Sequence, residues 1–115
     1  MDIAEFRNRL KEKSKGKAGM ILIHNGVVRA NSRDGKPCVK VEVKVNFDKL
    51  SEIVDATKNM PGVIAVEVEI KEGSLDVGDD LMLLGIAGDF RENTISALRY
   101  CLDRIKKEVT SKKEY

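Results

Sequence analysis

A chain of 115 residues is read as one domain, residues 1–115, long enough to bury a core without metal or disulfide staples. With 21 basic against 19 acidic residues the net charge is only +2, and aromatic residues make up 4%, so neither a uniformly basic nucleic-acid surface nor a base-stacking platform is present. One histidine, His24, and two distant cysteines, Cys38 and Cys101, make no zinc set or C-x-x-C; the absence of a leader-like or membrane-length apolar run reads as a soluble, cytoplasmic protein with reduced thiols.

The first element is a helix. Asp2 and Glu5 form a D-x-x-E cap, and Ile3, Phe6 and Leu10 share the face behind it. Gly19–Arg29 reads as a strand, with Asn25-Gly26 marking a bulge or a close approach within it. Residues 32–37, S-R-D-G-K-P, carry the D-G signal of a hairpin turn. Val39, Val41, Val43 and Val45 then alternate with Lys40, Glu42 and Lys44, as a half-buried strand does.

Asn46 is placed to cap a helix carrying Phe47, Leu50, Ile53, Val54 and Thr57 on one side, and Pro61-Gly62 ends that segment. Ile64, Val66, Val68 and Ile70 define a second alternating strand. Gly73–Asp80 reads as a loop. Leu81–Ala87 is apolar throughout, which predicts a strand buried on both faces. A final helix opens near Asp89 and runs through Ile95, Leu98, Leu102 and Ile105, leaving a short polar tail after Val109. The order α-β-β-α-β-β-α predicts an α+β fold, a largely antiparallel sheet with helices packed on it.

The last quarter concentrates the charge that could do chemistry. Arg91 stands in the first turn of the final helix, where free N–H groups and the positive dipole end favour an anion. Its simpler role is a surface residue between Asp89 and Glu92. Lys106, Lys107, Lys112 and Lys113 either serve a site or solvate a helix end. If the helix continued past Val109, Lys106 and Lys113 would share a face. His24 and Cys101 read as packed residues.

Several of these segments, taken together and in order, resemble the large, catalytic subunit of molybdopterin synthase, the MoaE family. They are G-M-I-L-I-H-N-G-V-V-R at residues 19–29, the loop G-S-L-D-V-G-D at 73–79, the buried strand after it, Phe90-Arg91, D-R-I-K at 103–106, and K-K-E at 112–114. The resemblance runs from about Gly19 to Glu114. The chain departs from the family in five places, one of them a shorter segment after Val45. Phe90 stands where the family has histidine, Ile70-Lys71 replaces an H-R pair, Thr110-Ser111 replaces a Pro-Trp, and the sequence stops at Tyr115, short of the tail many members carry.

The resemblance implies an α/β hammerhead fold and a role in molybdenum cofactor biosynthesis. It further implies transfer of sulfur from the thiocarboxylated Gly-Gly end of a small ubiquitin-like carrier to a cyclic pyranopterin monophosphate, forming a dithiolene. No bound cofactor or metal is implied, since the carrier brings the sulfur. The expected partners are that carrier, the pterin phosphate and a second copy of the chain, with neither membrane nor nucleic acid. Arg29 and Arg91 would bind the phosphate. Lys106 aligns with the family's first catalytic lysine, and either Lys112 or Lys113 with the second. The alternative is a carrier-binding module of the same fold with impaired catalysis.

Overall fold

The computed structural model describes all 115 residues, Met1–Tyr115. The apolar run becomes β5 (Asp80–Gly88), the middle strand of a three-stranded sheet between β1 (Met20–Val27) and β3 (Val63–Ile70). Both neighbours pair with it antiparallel. Helix α1 (Ile3–Ser14) covers one face of this sheet, while α2 (Phe47–Lys58) and α3 (Arg91–Glu108) lie on the other.

Strand alternation therefore sends Leu83 and Ala87 into a small core with Phe6 and Leu10. It sends Leu84 and Ile86 into the larger core with Ile53, Ala97, Cys101 and Ile105. A strand covered on both faces cannot afford a polar side, which is why residues 81–87 show no alternation. As expected, Asp2 caps α1 by accepting from the Glu5 N–H at 3.1 Å, and Asn46 caps α2 through Lys49 N–H at 3.1 Å.

Apolar burial holds α1 to the sheet. Phe6 and Leu10 are fully buried, and burying each side chain is worth about 1.5–3 kcal/mol. Arg9 also pairs with Glu67 and Glu69, and Lys13 with Glu67, but partly exposed pairs of this kind contribute about 1 kcal/mol or less.

A second antiparallel sheet has the order β4-β2-β6, with β4 at Gly73–Asp76, β2 at Lys40–Val45 and β6 at Thr110–Glu114. All seven expected elements are present. Two strands are additional: β4 within the expected loop, and β6 in the expected polar tail. Both are short and polar, and each is held by backbone pairing to the valine-rich β2, an interaction that side-chain periodicity does not reveal.

The D-G segment also differs from expectation. It forms a tight turn, closed by a bridge between Asn31 and Pro37 and by Gly35 N–H donating to Ser32 O at 2.9 Å. The strands on either side of it do not pair with each other, because β1 joins β5 and β2 joins the second sheet. The expected irregularity at Gly26 is present as a register shift between Gly26 and Val27. No helix is long and apolar enough to cross a membrane.

Gly85 is where α1 comes nearest to β5. A Cβ added there would lie 2.7 Å from Phe6 Cε2 and would also overlap Leu10. Gly85→Val is expected to lower stability by about 1–3 kcal/mol through overpacking, read as a lower urea midpoint with an unchanged m-value. An unchanged midpoint would mean that α1 docks more loosely than this.

Candidate functional site

Between the two sheets lies a cavity of about 610 Å³. Its walls come from the end of β1, the turn that follows it, the inner face of β2, the start of β5, the last turn of α3, and β6. The volume suits a small-molecule ligand.

The end of α3 decides which lysines reach this cavity. The helix stops at Glu108, and Val109 turns the chain into β6. The side-chain period therefore changes from 3.6 to 2, and Lys106 and Lys113 do not share a helical face. In the β2–β6 ladder Val43 stands opposite Lys112 and Glu42 opposite Lys113. Directly paired residues project to the same side of a sheet. Val43 is buried, so Lys112 turns inward, and both Lys106 and Lys112 line the cavity. Lys113 turns outward with Glu42, its ammonium 5.4 Å from the Tyr115 ring.

The two expected anion-binding arginines are separated. Arg29 lines the cavity. Arg91 begins α3, fifteen residues before Lys106, a distance of about 22 Å along a helix. It lies in a separate shallow depression with Gly19, Met20 and Phe90, is 81% exposed, and pairs with Glu92 at 3.3 Å. Within one chain, the fold does not bring Arg91 to Arg29 and Lys106.

Two further residues join the site. Arg33, on the D-G turn, lines the cavity beside Arg29. Its position in a turn signal gave no sign of this, because the direction of the turn depends on β1 and β2 joining different sheets. His24 also lines the cavity instead of being simply packed. It pairs with Leu84, whose side chain enters the core that includes α3, so the imidazole projects to the side of the sheet that carries Lys106. The β1 alternation could have grouped His24 with Leu22, but not told which face meets α3.

The site is electrostatically one-sided. The ion pairs of the chain use Arg9, Lys13, Lys49, Arg91 and Arg104. Arg29, Arg33, Lys106 and Lys112 belong to none of them, although the chain holds 19 carboxylates. Partial burial pushes the Lys112 ammonium below its ordinary range, and the charges of Lys106, Arg33 and Arg29 push it further, against a weaker pull from Glu114. Burial lowers His24 as well, followed by the charges of Lys106 and Lys112. The cavity thus combines an excess of cation with an ammonium and an imidazole that are both harder to protonate than usual. This is a setting for an anionic ligand and for proton transfer. No His/Cys/Asp/Glu cluster suited to a metal is present.

Fold and cavity together define a class: an α+β protein with two antiparallel sheets and a cavity lined by cations between them. Residues 1–108 match the model of the MoaE protein family, and the chain belongs to that family. The family's role is molybdenum cofactor biosynthesis. The chain is 29% identical over 93 residues to the molybdopterin synthase catalytic subunit of a Nostoc species, an alignment covering 76% of this chain and 56% of that protein. Its fold is similar to that of molybdopterin synthase from Staphylococcus aureus (TM-score 0.79, 23% identity, 95% of this chain and 82% of that one). It is also similar to a chain in the complex of subunits 1 and 2 of molybdopterin-converting factor from Helicobacter pylori (TM-score 0.76, 16% identity, 99% and 78%).

The lowered His24 value has a measurable consequence. A histidine that is harder to protonate when folded contributes stability above its ordinary value of 6.5. That stability is lost as pH falls from there through the lowered folded value, because the unfolded chain then binds more protons. His24→Phe removes the contribution. Plotting urea midpoints against pH is expected to give a steeper acid-side decline below pH 6.5 for the parent than for the variant; parallel curves would show that His24 is not held neutral.

Proposed function

We propose that this protein is the sulfur-transferring subunit of a molybdopterin synthase. It would carry two sulfur atoms, one from the C-terminal thiocarboxylate of each of two small ubiquitin-like carriers, to a cyclic pyranopterin monophosphate, forming the dithiolene while water releases each carrier as its carboxylate. The observation that carries this reading is the convergence of Arg29, Lys106 and Lys112, none of them ion-paired, on one cavity of ligand size in a chain of the MoaE family. Arginine suits the phosphate because its planar fork stays charged and bonds two oxygens. Lys106 and Lys112 are the proton-handling amines. The Lys112 ammonium, held below its ordinary range by partial burial and by the charge of Lys106, gives up its proton more readily than an exposed lysine.

The Helicobacter pylori structure contains a second, different subunit. By analogy, the carrier's Gly-Gly tail enters the cavity here and brings the sulfur, so no resident cofactor is required. The working assembly is a dimer of this chain with one carrier at each end. Arg91 binds anion only if a second copy presents it to the cavity, since its own chain holds it apart.

Reconstitution with thiocarboxylated carrier and the cyclic pterin precursor tests the proposal. Lys106→Ala and Lys112→Ala are each expected to slow dithiolene formation by about a hundredfold or more, whereas Lys113→Ala stays within about threefold of the parent. Equal losses at Lys112 and Lys113 would overturn the division between them. A protein that binds carrier but forms no product would belong to the alternative, a carrier-binding module.

A further inference from the structure

The turn between β1 and β2 leaves the sheet that carries β1 and returns to the one that carries β2, so it crosses the mouth of the cavity. It is closed at its base by the Asn31–Pro37 bridge and by Cys38 N–H donating to Ala30 O at 2.8 Å. Inside that base, Ser32 N–H donates to Lys36 O at 2.8 Å. The one carboxylate in the turn is already engaged, since Ser32 Oγ and Asp34 Oδ1 are 3.1 Å apart. Arg33 is left without an ion-pair partner and lines the cavity with Arg29 and Lys112. Its charge acts on Lys112 ahead of that of Arg29.

Resting on the reading above, we propose that Arg33 is a substrate-binding residue that, with Arg29, grips the phosphomonoester of the ligand. The proposal divides labour by chemistry. Two arginines, which keep their charge at any physiological pH, hold the phosphate from neighbouring positions four residues apart on a braced turn. The two lysines remain free for the reacting end of the ligand. The arrangement supplies a second guanidinium within one chain, where the fold has placed Arg91 beyond reach. It also makes Arg33 a determinant of specificity for a phosphorylated over a dephosphorylated substrate.

The test uses the full chain with Arg33→Ala, Arg33→Lys and Lys113→Ala, the last as a control for loss of one exposed cation. Binding of inorganic phosphate is followed by NMR through the His24 ring protons, a readout that needs neither carrier nor turnover. Arg33→Ala is expected to weaken phosphate binding about tenfold or more, Arg33→Lys by less, and Lys113→Ala hardly at all. In the reconstituted reaction, Arg33→Ala should raise KM for the phosphorylated precursor by a similar factor and leave kcat within about twofold.

Phosphate affinity and KM unchanged in Arg33→Ala would overturn the inference and leave the proposed function standing. If the parent protein forms no product, the proposed function fails, and the phosphate titration still decides the role of Arg33. Equal weakening by Arg33→Ala and Lys113→Ala would also overturn it, because it would reduce the effect to general surface charge.

Discussion

The site depends on the joint at Val109. This residue ends α3 with its N–H donating to Ile105 O at 2.9 Å, and its carbonyl accepts from Asn46 N–H at 2.9 Å. Its side chain is buried in the main core. The last helical turn is thereby fixed to the core and to the junction of β2 and α2, and the residues that follow pair into the second sheet. Lys106 and Lys112, on elements of different geometry, come to face one space. A longer helix, or a tail not paired with β2, would disperse them.

What assembles around that joint is an imbalance of charge. Four cations line or rim the cavity without carboxylate partners, and Glu114 is the one acidic residue among its lining. Elsewhere in the chain some cations are ion-paired. Arg104, for instance, donates to Glu108 at 2.7 Å and to the Tyr100 hydroxyl at 2.6 Å, which holds the Glu108 carboxyl below its usual range. Unpaired like charges repel, and partial burial adds to the cost of keeping Lys112 protonated. An anion placed among these groups would offset the repulsion between them.

The rest of the architecture keeps this cavity in place. β5 is anchored from both faces, by α1 through Phe6 and Leu10 and by α2 and α3 through Ile53 and Ile105. Its first residues, Leu81 and Met82, form part of the cavity wall. The site therefore rests on the most buried strand of the molecule, with Arg29, Arg33 and Lys106 along its wall.

The sequence by itself determined the local elements and most of the chemistry available. Valine alternation marked β2, the unbroken apolar run marked a strand covered on both faces, and Asp2 and Asn46 marked helix starts, because these signals depend on near neighbours. The resemblance of its motifs to those of the MoaE family also pointed to Arg29 and Lys106. Tertiary structure alone decided which residues meet. It separated the strands on either side of the D-G turn into two sheets, drew residues 110–114 into β6, turned Lys112 inward and Lys113 outward, added His24 and Arg33 to the cavity, and left Arg91 at the far end of α3. Each of those outcomes rests on backbone pairing or packing between segments distant in sequence, and such pairing leaves no period in the chain to be read.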